Sequence, residues 1–365
     1  MPTWLLVLNC RPLASPRSAC SLPSSTCISS IMNLFKLISD IEQADPEFLD
    51  RINPRRRVFQ YLGNAGQKVT AVAVPAVLAS FFNRAYGQTT TLPDPVKKVL
   101  TLALQLEYLE YHFYNTALSI SGLIPSSETP GITTIRNDEA GHISALRGVL
   151  GSAAPSPYLV TDYDYSGGGG TGTGPTASAL VPNGTGNVNG ALFFAAGQAF
   201  SDVGQRAYKG GAPTLNTTAT KDILEAALNI HSVEARHNSH FRTVRRAIVA
   251  NTLGSAMAPA IAPYDSAPAA PKSWISLIDN GGPTAPNGSK PASAVYGPGN
   301  PAAMYPAENN TTQAGTDLTT LNSAYTAVAV SEAFDEPLDP NTVQTIALNF
   351  TSTAGKAKGL FQQTF

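Results

Sequence analysis

Asn137-Asp138-Glu139-Ala140-Gly141-His142 and Val233-Glu234-Ala235-Arg236-His237 decide the fold of this 365-residue chain. Both contain Glu-x-x-His. On an α-helix a spacing of three puts both side chains on one face, so each stretch presents a carboxylate and an imidazole together. Two such helices facing each other deliver two carboxylates and two imidazoles to one point. That donor set suits Fe or Mn, and a bridging carboxylate can hold two ions a few ångströms apart. The chain's three cysteines, Cys10, Cys20 and Cys27, all lie in the first 31 residues. A thiolate zinc site, an iron–sulfur cluster and a cysteine nucleophile are therefore excluded from the body of the protein, and any metal there must be held by His, Asp and Glu.

Working outward, each motif sits on the second helix of a predicted hairpin. Asp94 reads as an N-cap before Pro95 at the first helical position, and Val96, Leu100, Leu104, Tyr108, Tyr111 and Leu118 follow at helical spacing, giving a first helix over about 95–121. The second covers about 131–151. Residues 153–189 hold eight glycines, four prolines and no Lys or Arg, and read as a long connection. A third helix spans about 190–209 and stops at Gly210-Gly211. A fourth runs from the Thr218 cap to about 250, with Arg242, Arg245 and Arg246 read as charges suited to a helix C-terminus. The expected fold class is all-α, a four-helix bundle of two hairpins joined by one long crossover. Residues 252–316 hold ten of the 28 prolines and read as an irregular Pro/Gly-rich arm. Helical periodicity returns at Leu318–Phe334, breaks at Pro337 and Pro340, and resumes at Val343–Phe350. These short C-terminal helices, in 317–365, are expected to pack on the bundle because neither can bury a core alone.

Such a bundle needs further carboxylates from its first and third helices. The first offers Glu107 and, on nearly the same stripe, Glu110; Tyr114 lies two turns from Glu107. Asp202 stands 32 residues before Glu234, as Glu107 does before Glu139. His112 is rotated away from Glu107 and reads as peripheral, while His231 and His240 flank the second motif at one-turn spacing.

Together, Leu106-Glu107-Tyr108-Leu109-Glu110-Tyr111-His112-Phe113-Tyr114, the Asn-Asp-Glu-x-x-His stretch, Tyr163–Tyr165 and Phe334-Asp335-Glu336-Pro337 resemble the ferritin-like proteins of the desiccation-related type, chiefly over residues 92–250. The resemblance implies a ferritin-like bundle with a di-iron or di-manganese site. Glu107, Glu139, His142, Glu234 and His237 would be its ligands, with Glu110 or Asp202 as a possible sixth and Tyr114 as a possible redox neighbour. Its expected chemistry is oxidation of Fe(II) by dioxygen or peroxide in stress protection, a ferroxidase or oxidase-like activity. The sequence departs from the family at Ser201, where a glutamate is usual. A mononuclear or asymmetric site therefore stays open, and so does a metal-free stress or envelope protein that uses the bundle as a scaffold.

Ahead of the bundle, Arg55-Arg56-Arg57, an apolar run from Val69 to Phe82 and Ala85-Tyr86-Gly87 resemble a twin-arginine export signal over 32–87. The apolar run is shorter than the roughly 20 residues of a membrane span. The mature chain is then expected to run from Gln88 to Phe365, with the bundle over 88–251, in the periplasm or outside the cell, and with membrane contact only through the signal region. Residues 1–31 read as a disordered or mis-assigned leader before Met32. A net charge of −1 disfavours nucleic acid as a partner. The glycine run at 167–174 opens no helix and carries no phosphate-binding signature. Oligomeric state is left open, with a homo-oligomer possible.

Overall fold

The computed structural model describes residues 92–181, 188–250, 252–253, 275, 277 and 293–365, all within one compact unit. The leader read over 1–31, the export signal read over 32–87 and most of the 252–316 arm lie outside the described residues. Four long helices dominate: α1 (Asp94–Ser119), α2 (Thr129–Leu150), α3 (Val188–Leu215) and α4 (Lys221–Val249). α1 packs along α2 and α3 along α4, and the hairpins meet through α1 with α3 and α2 with α4. This is the expected four-helix bundle with one long crossover. The smaller elements are α5 (Ser293–Tyr296), a two-stranded hairpin of β1 (Thr312–Gln313) and β2 (Thr316–Asp317), α6 (Ala327–Ala333), α7 (Pro340–Leu348) and α8 (Thr353–Ala357). Among the described residues no helix is long and apolar enough to cross a membrane.

α1 is buried around nearly its whole circumference from Leu102 to Glu110, as expected for a helix with structure on every side. The bundle covers one side; the crossover and the chain's end cover the other. Tyr163 and Tyr165 donate their hydroxyl hydrogens to the α1 carbonyls of Gln105 and Leu109, at 3.1 and 2.9 Å. The Gln105 amide donates to the Tyr158 hydroxyl and accepts the Phe361 N–H. α7 packs on both α1 and α3.

Arg206 on α3 anchors the segments that follow the bundle. Its guanidinium is fully buried, pairs with the equally buried Glu308 at 2.8 Å, and donates to the carbonyls of Val295, Gly297, Pro306, Glu336 and Pro337. One planar fork of donors thus ties α5, the chain before β1 and the Phe334–Pro337 stretch to α3.

Several local expectations are corrected. Helix α3 does not stop at Gly210-Gly211 but continues to Leu215 through Pro213. The glycines serve close approach: a Cβ on Gly210 would overlap the Leu338 carbonyl, and one on Gly211 would lie 2.7 Å from Val99 Cγ1. Asp94 does not cap α1; Pro93 holds that position and the Asp94 carboxylate takes Lys97 at 2.8 Å. Leu318–Phe334 is not one helix. Asn322 accepts the Ala324 N–H in a local turn, and Thr326 caps a new start at Ala327, so side chains compete with the helical ladder. Pro340 opens α7 under an Asp339 cap instead of ending a helix.

Replacing Arg206 by Met leaves Glu308 buried and unpaired. The expected loss of stability is about 3–5 kcal/mol, measured by denaturant unfolding, with part recovered in the Arg206→Met, Glu308→Gln double variant. A loss below about 1 kcal/mol would mean that Arg206 does not anchor these segments.

Candidate metal centre

Three helices aim charged side chains into the middle of the bundle: Glu107 and Glu110 from α1, Glu139 and His142 from α2, Glu234 and His237 from α4. All six are buried. Ligating atoms of Glu107, Glu139, His142 and Glu234 lie within 4.8 Å of one another. His142 Nδ1 is 3.0 Å from Glu107 Oε2, 3.0 Å from Glu139 Oε2 and 3.6 Å from Glu234 Oε1. His237 Nδ1 is 3.2 Å from Glu139 Oε1 and 3.6 Å from Glu234 Oε2. Both rings therefore turn the same nitrogen inward. The outer nitrogen of His237 meets Asp138 Oδ2 at 3.1 Å, and such an outer carboxylate fixes the ring of a metal-binding histidine.

Four carboxylates against two imidazoles leave a net negative charge in a dry interior, and the ionisation equilibria register it. Burial first, then the Glu234 charge, raises Glu139 to about 7. Glu110 is pushed well above the usual carboxylate range by burial and by the charges of Glu234, Glu139 and Glu107. Burial also opposes the charge on Glu107, but His142 and hydrogen bonds from His142, Glu139 and Tyr208 outweigh it and hold this carboxyl low. Burial alone would lower both histidines. The carboxylates beside them reverse that, Glu107 foremost for His142 and Glu139 for His237, and raise both well above the ordinary imidazole value.

α3 contributes no carboxylate, yet it shapes the centre. Tyr208 donates its hydroxyl hydrogen to Glu107 Oε1. Ser201 donates to Glu110 Oε2 at 3.2 Å, and Tyr114 on α1 donates to the same oxygen at 3.0 Å. Between these residues lies Gly204, where a Cβ would sit 3.2 Å from Glu110 Oε1 and 3.4 Å from Glu234 Oε2. Glu110 thus extends from α1 toward the place where a glutamate at position 201 would project. The sequence singles out Tyr114, whereas Tyr208, Gly204 and Asp138 are given no role from it. The seven-residue spacing from Ser201 to Tyr208, the same as from Glu107 to Tyr114, was the available signal.

Asp202 is corrected. It is buried, but Oδ2 takes Arg242 at 2.6 Å, Tyr296 at 2.5 Å and Gln198 at 3.3 Å. Its one-residue offset from Ser201 turns it by about 100° from the centre. The same finding revises Arg242 and Arg245, which are buried, not solvated helix-end charges; Arg245 donates to Gln198 Oε1 at 2.5 Å. None of the other histidines joins the cluster. His112 meets the Tyr158 carbonyl, His231 the Gln205 carbonyl, and His240 packs over Gly131 with Glu128 at 3.6 Å.

The donor set fits a metal. Glu139 Oε1, both Glu234 oxygens and His237 Nδ1 are buried without a hydrogen-bond partner. Such groups are costly unless a cation satisfies them, and carboxylate oxygens with imidazole nitrogens are what Fe and Mn take. Gly204→Ala, which crowds two of these carboxylates, is expected to weaken Mn(II) binding roughly 10–100-fold, the range for groups that orient ligands, by chelator competition. Unchanged affinity would remove Glu110 and Glu234 from the site.

Residues 96–247 match the family model described as "Ferritin-like domain". No curated protein and no solved structure gave a significant match.

Proposed function

We propose that the ferritin-like domain binds two ions of iron or manganese at Glu107, Glu110, Glu139, His142, Glu234 and His237, and that with iron it oxidises Fe(II) at the expense of dioxygen or peroxide. The carrying observation is that buried ligand atoms of the cluster, Glu139 Oε1, both Glu234 oxygens and His237 Nδ1, have no hydrogen-bond partner and meet only the other members of the cluster. Two ions are supported by the arrangement. Glu139 and Glu234 each lie beside both imidazoles, placed to be shared, while Glu107 stands with His142 and Glu110 approaches Glu234 across Gly204. Iron held by these residues would supply one-electron chemistry, reducing the oxidant as Fe(II) is oxidised to Fe(III). Tyr208 orients Glu107, and Tyr114 with Ser201 orients Glu110. Asp138, with a side chain about 41% exposed, holds the outer His237 nitrogen, which links solvent to the buried cluster through one imidazole and gives protons a short route.

Metal content and Fe(II) consumption test this together. Wild-type protein is expected to hold close to two Fe or Mn per chain after loading and to consume dioxygen when Fe(II) is added; Glu139→Ala is expected to lose both. A wild type that takes up neither metal would support the second reading, a metal-free scaffold, which Ser201 in place of an α3 carboxylate favours.

The resemblance to desiccation-related proteins supports a stress-protective role, and Arg55-Arg56-Arg57 with its apolar run supports export by the twin-arginine route. Replacing Arg56 and Arg57 by Lys is expected to strand the protein in the cytoplasm by fractionation. Undiminished export would sink that assignment.

A further inference from the structure

An apolar cavity of about 20 Å³ lies where α1, α3 and α4 meet under α7. Ala103 lines it from α1, Tyr208 and Gly211 from α3, Ala227 from α4 and Val343 from α7. Ala103 precedes Glu107 by one helical turn, and Ala227 precedes Glu234 by two. Both therefore stand on the stripes that carry ligands into the bundle centre, and their small side chains leave space along those stripes. Tyr208 belongs to both places: it lines the cavity, and its hydroxyl donates to Glu107 Oε1 in the centre. Val99, Ala207 and Pro340, which also line the cavity, are half-buried, so one side of it lies near the surface.

We infer that this cavity is the route by which dioxygen reaches the centre. The inference rests on the metal-dependent oxidation proposed above and makes dioxygen, not peroxide, the oxidant admitted here. Tyr208 is the one lining residue with a polar side chain, and its hydroxyl hydrogen is already given to Glu107. A buried water makes about three hydrogen bonds, and a cavity without polar partners stays dry and takes small apolar molecules instead. Hydrogen peroxide, with a hydroxyl at each end, loses its hydrogen bonds here as water does. Dioxygen has no such bonds to lose and gains dispersion contacts with the walls. The volume exceeds the roughly 10–15 Å³ that one water needs, which leaves room for a single diatomic molecule.

Dioxygen is paramagnetic, so methyl groups around a cavity that it enters relax faster. This reads occupancy in the full, metal-free chain, without catalysis. Under dioxygen pressure the Ala227 and Val343 methyls, 4% and 0% exposed, are expected to gain more relaxation than those of Ala196 and Ala117, which are 4% and 0% exposed and line no part of the cavity. Ala103→Leu is expected to abolish that excess by filling the space. In the iron-loaded protein the same substitution is expected to slow Fe(II) oxidation by dioxygen several-fold, with oxidation by hydrogen peroxide and Mn(II) stoichiometry unchanged. If Ala103→Leu overpacks the core and fails to fold, the smaller step Ala227→Val decides. Equal relaxation at the cavity and control methyls overturns the inference, and so does a filled variant that keeps its dioxygen rate or loses both oxidations alike. A wild type that takes up no metal sinks the reading of the centre instead, a result distinct from the relaxation contrast.

Discussion

Uncompensated negative charge in the middle of the bundle is the constraint to which the surrounding structure answers. Four carboxylates converge there with two imidazoles, and even with both imidazoles protonated two negative charges remain. A folded domain tolerates this only if protons or a cation neutralise the excess. The raised equilibria of Glu110 and Glu139 are the protonic answer in the metal-free state. Glu139 Oε1 and the two Glu234 oxygens, which have no hydrogen-bond partner, are where a cation would bind. What surrounds the cluster limits the imbalance: tyrosine hydroxyls on Glu107 and Glu110, Ser201 on Glu110, and Asp138 on the outer edge of His237.

The centre is asymmetric in a way that follows from one residue. Ser201 supplies a hydrogen bond where a carboxylate would otherwise project from α3, and Glu110 reaches from α1 into the neighbourhood left free. Gly204 makes this possible, because a side chain there would press on both Glu110 and Glu234. Two carboxylates from α1, one Glu and one His from each of α2 and α4, and none from α3 still amount to six donor residues. Asp202, released from the centre, neutralises Arg242 in the α3–α4 groove, and Arg206 four residues on ties the later chain to the same helix.

The parts legible in the sequence were those governed by local periodicity. The two Glu-x-x-His motifs and the stripe carrying Glu107 and Glu110 convert directly into directions on a helix, and with the bundle architecture and the ferritin-like resemblance they led to the expected convergence of α1, α2 and α4. Contacts between distant segments could not. Nothing near Asp202 indicates that Arg242, forty residues away, will meet it, and a basic residue in a last helical turn reads equally well as solvated charge. Gly210-Gly211 reads as a helix stop when the reason for glycine, the Leu338 carbonyl packed against the helix, lies more than a hundred residues downstream. Tyr208 was visible as a helical position, but its partner Glu107 sits on another helix.

Anomalous diffraction from crystals soaked in Fe(II) or Mn(II), with data on both sides of the metal absorption edge, tests the central claim most directly. The account predicts two anomalous peaks a few ångströms apart, enclosed by Glu107, Glu110, Glu139, His142, Glu234 and His237, and both absent in Glu139→Ala. A bundle centre without an anomalous peak after soaking, its carboxylates bridged by protons or water, would contradict it.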